Sequence, residues 1–250
     1  MKEELDESIH EGWNKYNNWI MSKGCPSLEK NKIISVSPYL NVYIFPEELD
    51  YTDIRPYPNN FQRFDCFKRS GSGETFELPE KLRNRSGKLV YLSMGSFGSG
   101  DVDLMKRLVS LLSKSKHRFI VSKGPFGDQY SLPDNMWGQN YLPQIKILPI
   151  IDLIITHGGN NTLTETLYYG KRILVMPLFF DQYDNAQRIL EKQLGLCLDP
   201  FQCSEEELNE AIDKTLSDES LERKMISISK RIQTEQNILK LPKLIESIAK

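Results

Sequence analysis

Ile154-Ile155-Thr156-His157-Gly158-Gly159-Asn160-Asn161-Thr162-Leu163-Thr164-Glu165 is the stretch on which the fold turns, and Pro177-Leu178-Phe179-Phe180-Asp181-Gln182 follows it closely. Two isoleucines end a buried apolar run, paired glycines permit a sharp turn and close backbone approach, and a helix opens at 160–162 with its first amides facing outward. A strand, a glycine turn and a helix mouth in this order suit an anion, because the unpaired amides and the helix dipole both favour negative charge.

Outward from this stretch, strand and helix signals alternate. Strands are expected at 89–93, 119–122, near 139–142, at 153–156, 173–176 and 196–198, with helices at 101–113, 162–169 and 184–194. Near-continuous apolar strands separated by amphipathic helices predict an α/β fold: a Rossmann-like parallel sheet with helices on both faces, whose ligands sit beyond the carboxyl ends of the strands. Ser204 and Glu207 form a capping-box pair, Leu221, Met225, Ile228 and Ile232 make one apolar helical stripe, and Pro242 suits the first turn of a terminal helix.

Toward the amino end, Trp13, Tyr16 and Ile20 fall at helical spacing before Gly24-Cys25-Pro26, and extended runs follow at 33–36 and 40–45. Pro56, Pro58, Asn59-Asn60 and Ser70-Gly71-Ser72-Gly73 give the next stretch linker chemistry. The expected division is 1–50, too small for a core of its own, a linker at 51–80, and an α/β domain at 81–250.

A formal net charge of −2 without long basic runs argues against nucleic acid as a partner. The longest apolar run, 145–156, is broken by Lys146, Pro149 and Asp152, so no transmembrane segment is expected. The residues after Met1 lack the apolar core of a secretory signal. A cytoplasmic chain is the expectation, with the endoplasmic reticulum membrane as the alternative for a truncated form. Cys25, Cys66, Cys197 and Cys203 lack C-x-x-C spacing and a nearby histidine, so no metal site is expected.

Gly95-Ser96-Phe97-Gly98-Ser99-Gly100 follows the first sheet strand, but Phe97 stands where a dinucleotide fingerprint requires glycine. The loop reads as a phosphate or sugar contact through Ser96, or as a plain glycine turn. Taken singly, other residues also keep ordinary alternatives. Thr162 to Glu165 fits a capping box, His157 a satisfied strand-end histidine, and Asp181-Gln182 a polar loop.

From Lys88 onward the chain resembles the donor-binding domain of family 1 UDP-glycosyltransferases. The resemblance rests on Tyr141-Leu142-Pro143-Gln144, on His157 through Thr162 with Glu165, and on Pro177 through Gln182 with Asn185. It implies the carboxyl-terminal half of a GT-B glycosyltransferase, preceded by the end of an amino-terminal domain. It also implies that Tyr141 stacks on uracil, with Trp137 as a competing candidate, and that Gln144 lies near base and ribose. His157, Asn161 and Thr162 would hold the diphosphate, with Gly159 and Ser96 also on the donor. Glu165 would take the ribose hydroxyls, and Asp181 and Gln182 the sugar.

The same resemblance implies a UDP-sugar and a small lipophilic acceptor as partners, transfer with inversion, and no cofactor or metal. Glucose is the expected sugar, since Asp181 would repel a uronate carboxylate. The family's catalytic histidine belongs to the amino-terminal domain, and neither His10 nor His117 matches it. The catalytic base is therefore expected to be missing here. A UDP-sugar-binding module without chemistry of its own, or a sugar-nucleotide epimerase, are the other readings.

Overall fold

The computed structural model describes residues 2–30, 32, 36–65, 75–235 and 237–249. It begins with helix α1 (Lys2–Ser22), strands β1 (Asn41–Ile44) and β2 (Phe61–Phe64), and the short helix α2 (Glu80–Arg83). The alternating part then runs β3 (Leu89–Ser93), the one-turn helix α3 (Gly95–Gly98), α4 (Val102–Leu112), β4 (Arg118–Ser122), β5 (Met136–Gln139), the short α5 (Gln144–Ile147) and β6 (Leu153–Thr156). It ends with α6 (Asn160–Tyr168), β7 (Arg172–Val175), α7 (Asp181–Glu191), β8 (Gly195–Cys197), α8 (Glu205–Ser217), α9 (Glu219–Glu235) and α10 (Leu241–Ile248).

Six strands form one parallel sheet in the order β5-β4-β3-β6-β7-β8. Successive side chains of a strand face opposite ways, and here both faces are apolar. Val90 and Leu92 pack with Leu104, Met105 and Leu108 of α4 and with Leu208 and Ile212 of α8. Leu89 and Tyr91 pack on the other side with Leu163 and Leu167 of α6, Ile189 of α7, and Met225 and Ile228 of α9. Two covered faces are what unbroken apolar parallel strands require, so the expected fold class stands.

The chain leaves β3 toward β4 and β5, then returns to place β6 on the other side of β3. Strand order therefore reverses between β3 and β6, and a crevice opens where their carboxyl ends diverge. Caps fix the helices around it. Asp101 accepts a hydrogen bond from the Leu104 amide, and Ser204 and Glu207 close the reciprocal box expected at the start of α8. Each cap is worth about 1 kcal/mol. Pro242 lies in the first turn of α10.

Two boundaries move. β5 occupies Met136–Gln139 rather than 139–142, because Gly138 lets the Val121 carbonyl approach to 2.1 Å of where a Cβ would sit. Asn140 to Leu142 then turn out of the sheet toward the crevice. α7 starts at Asp181, three residues before its expected beginning.

The stretch expected to be linker contains β2, which pairs in parallel with β1 from Asn41↔Phe61 to Ile44↔Phe64. Phe64 is buried, but Phe-Gln-Arg-Phe puts its two apolar residues three apart, on opposite faces, so no strand period marks it. Polar contacts bolt residues 41–65 to the main domain. Arg231 of α9 bonds Glu48 at 2.9 Å and Asp65 at 3.0 Å. Arg188 of α7 donates to the Asp50 carbonyl and to Asp53, and lies 4.6 Å from the centre of the Tyr51 ring. Most of the strand expected at 33–36, the Ser70 to Gly73 stretch and Cys66 lie outside the described residues. Among the described residues no helix is long and apolar enough to cross a membrane.

Candidate active site at the β3 and β6 strand ends

A cavity of about 910 Å³ occupies the crevice at the strand-order reversal. Ser96, Tyr141, Gln144, His157, Gly159, Asn161 and Thr162, scattered over 67 positions of sequence, all line it. Three elements supply them: the turn after β3, the loop from β5 into α5, and the β6 to α6 turn.

His157 stands where β6 ends. Gly158 has φ +85°, and a Cβ there would meet Val175 at 2.8 Å, so only glycine makes this turn comfortably. A Cβ on Gly95 would fall 2.5 Å from the His157 Cε1, and one on Gly159 2.5 Å from its Nε2. Two glycines thus crowd the Cε1–Nε2 edge of the imidazole, where a side chain on either would collide with the ring. Its Nδ1 lies 3.3 Å from the Thr156 hydroxyl. Burial lowers the proton affinity of His157 below the ordinary imidazole range, against smaller upward pulls from the Ser93 backbone and from Asp181. The ring is therefore neutral at pH 7, able to donate one hydrogen bond and to gain a charge when an anion arrives.

Behind it, α6 opens at Gly159, which has no side chain to cap the first-turn amides. Gly159 and the first-turn residues Asn160, Asn161 and Thr162 line the cavity. Asn185 of α7 donates to the Gly158 carbonyl and to the Asn160 Oδ1, both at 2.8 Å, and so pins the glycine turn to the next helix. The sequence marks Asn185 through its place after Pro177 through Gln182, but not that its amide would hold the glycine turn. The crowding of the ring by Gly95 was equally hidden, since the loop reads naturally through its serine.

Gln144 crosses the cavity floor. Its Nε2 donates to Glu165 at 2.7 Å and lies 3.5 Å from the Thr162 hydroxyl, and the Ser93 hydroxyl donates to its Oε1 at 3.4 Å. The capping-box alternative for Thr162 and Glu165 is overturned: Gly159 is the N-cap, so both residues lie inside α6. Glu165 is buried beneath Gln144, one side chain back from the cavity surface.

Tyr141 presents its ring to the cavity and is 76% exposed. Trp137 instead sits within β5 and packs toward the core, its ring centre 6.0 Å from that of Phe76. Of the two aromatics, Tyr141 is the one that lines the cavity. Neither Asp181 nor Gln182 is among the residues that line the cavity. Gln182 is buried, and its Oε1 accepts from the amides of Leu178 at 2.9 Å and Phe179 at 3.2 Å, so its oxygen is committed to holding the loop. Asp181 is exposed at the first turn of α7, near enough to act on the charge of His157.

His117, the remaining described histidine beside the sheet, lies at the opposite end of β4, where Asp213 holds its Nε2 at 2.8 Å. No carboxylate among the described residues lines the cavity. Among the described residues no three His, Cys, Asp or Glu side chains are grouped to hold a metal ion.

The sequence model of the family described as UDP-glucoronosyl and UDP-glucosyl transferase matches residues 43–243. A sterol 3-beta-glucosyltransferase of Vanderwaltozyma polyspora is 27% identical over 227 residues, 84% of this chain and 18% of the relative. The NDP-glycosyltransferase YjiC of Bacillus subtilis is 24% identical, over 92% of this chain and 58% of the relative. The glycotransferase of kitacinnamycin superposes with a TM-score of 0.79 at 19% identity, over 97% of this chain and 64% of that one. Such identity shows a shared fold. The chain spans less than two thirds of the length of each of these proteins.

Proposed function

This chain belongs to the UDP-glucoronosyl and UDP-glucosyl transferase family, and from that premise we propose that it is the donor-binding half of a glycosyltransferase acting on a UDP-sugar. One observation carries the reading: a neutral imidazole and an uncapped helix mouth converge on one cavity at the strand-order reversal. The diphosphate lies against His157 and the first amides of α6, with Ser96 at its side. A helix mouth contributes roughly 0.3–1 kcal/mol to a bound anion, up to about 2 when partly buried. Each hydrogen bond to the charged group adds about 1.5–3 kcal/mol.

Tyr141 covers the uracil face. Gln144 and Glu165, already joined, receive the ribose hydroxyls, a task suited to a carboxylate with two acceptor oxygens. Asp181 takes sugar hydroxyls, while Gln182 acts chiefly by shaping the loop that presents Asp181. The sugar is a neutral hexose, glucose by preference, because a uronate would bring its carboxylate toward Asp181. A sterol-acting relative supports a small lipophilic acceptor. Donor binding needs no divalent ion, since the cavity lining offers amides and hydroxyls rather than the carboxylates such ions seek.

In the transfer step the acceptor oxygen attacks the anomeric carbon as the bond to the diphosphate oxygen breaks, with inversion, and the acceptor's hydroxyl proton passes to a base in the amino-terminal domain of the parent protein. His157, Ser96 and the helix amides stabilise the departing UDP. Calorimetry with UDP, UDP-glucose and UDP-glucuronate, each with and without a chelator, tests the reading on wild type and His157→Ala. UDP and UDP-glucose should bind wild type regardless of chelator, UDP-glucuronate more weakly, and the variant should lose roughly tenfold or more for each. Absence of UDP binding to wild type would sink the proposal.

A further inference from the structure

Phe180 occupies a backbone conformation that belongs to glycine. Its φ is 50° and its ψ −133°, a region that side chains with a Cβ rarely enter and that persists only where the surroundings impose it. Burial does not compensate, because the side chain is 85% exposed. Its ring meets Phe179 edge to face, centres 5.4 Å apart, and Phe179 meets Phe97 the same way at 6.2 Å. Phe97 is itself 83% exposed and follows Ser96 of the cavity lining. The next residue after Phe180 is Asp181, which acts on the charge of His157. A run of three rings therefore starts beside Ser96 of the cavity lining and ends at a strained, exposed residue next to Asp181.

We propose that Phe97, Phe179 and Phe180 form the wall against which an apolar, ring-bearing acceptor packs, and that the strain at Phe180 is retained for this contact. The inference rests on the donor reading, since it is continuity with the donor cavity that identifies the occupant as the acceptor. Three carbon rings offer no hydrogen bond to a sugar hydroxyl but a large face to an aromatic or fused-ring body. The reacting hydroxyl of such a ligand would lie beside Asp181, where the sugar is expected. Phe180 is thus a specificity-determining residue, distinct from those that hold the nucleotide.

The chain saturated with UDP is titrated with 1-naphthol, a fluorescent planar probe, as wild type, Phe180→Gly, Phe180→Tyr and Phe97→Ala. UDP affinity and melting temperature are measured in parallel. Phe180→Gly should raise the melting temperature by about 2–4 °C as strain is released. It should leave UDP affinity within about twofold and weaken naphthol about fivefold or more, a loss of roughly 1 kcal/mol. Phe97→Ala should weaken naphthol similarly, and Phe180→Tyr should retain it. Naphthol that fails to bind wild type, or binds Phe180→Gly and Phe97→Ala equally well, overturns the proposal. A wild-type dimer dissolved by Phe180→Gly would also overturn it, making the patch a contact between copies. Failure of wild type to bind UDP is a separate result, and it defeats the donor reading first.

Discussion

At the scale of single residues, the proposed contact of His157 with the diphosphate predicts that donor binding is coupled to protons. In the free chain burial holds its proton affinity below the ordinary value, near 6.5 for an unperturbed imidazole. The neutral form is the one the fold prefers. Its contribution to stability is therefore present above about pH 6.5 and is lost as pH falls through the lower folded value. A diphosphate beside the ring reverses the preference, because an adjacent negative charge favours imidazolium. The bound value then exceeds the free one, so binding takes up protons and strengthens as pH falls through the interval between them. UDP-glucose isolates the effect, since its diphosphate has no proton to lose near neutrality. Calorimetry near pH 6 in two buffers of different ionisation enthalpy should show net uptake of up to about one proton per ligand, absent in His157→Gln. An affinity that stays flat from about pH 8 to about pH 6, with no proton uptake, would mean that imidazole and phosphate are not in contact.

Among elements, the β1 and β2 pair depends on one guanidinium of α9. Asp65 is buried and would by that fact alone hold its proton more tightly. Hydrogen bonds and charge from Arg231 outweigh this and leave the carboxyl below its ordinary range. Arg231→Leu removes the partner of both Asp65 and Glu48, and leaving a buried carboxylate uncompensated costs on the order of 3 kcal/mol. The expected outcome is a lower denaturant midpoint, with amide exchange accelerated first in residues 41–65; unchanged protection there would refute the assignment. This docking was illegible in the sequence, because it joins Asp65 to Arg231 across 166 positions, and charge pairs at that separation leave no local pattern. The main sheet was legible for the opposite reason: β3 and β6 are short uninterrupted apolar runs, bounded by glycine on the cavity side. The tight turn after β6 was legible too, through His157 and its glycines. By contrast, the commitment of Gln182 to its own loop, and the crowding of Gly95 against a ring 62 positions away, arise only when separate turns meet in space.

For the whole molecule, the placement of histidines decides what the chain can do by itself. There are 3 in the sequence. His157 faces the site assigned to phosphate. His117 is buried at the amino-terminal end of β4, at the end of the sheet opposite the cavity, with Asp213 on one ring nitrogen and the Lys88 amide on the other. His10 lies on α1, outside the cavity lining. None is free to take a proton from an acceptor hydroxyl beside Asp181, and Asp181 as a carboxylate is engaged with the sugar in the same reading. Loss of a general base lowers rates by roughly 10²–10⁴, and an acceptor held on one side only forfeits much of the gain from orientation. The chain should therefore bind UDP-glucose saturably yet release UDP no faster than a blank when supplied with 1-naphthol. A coupled assay for UDP, run at donor concentrations above the measured dissociation constant, checks this. Vigorous transfer would show that a base within these 250 residues had been overlooked, and Asp181 would be the first residue to replace, by Asn, in looking for it.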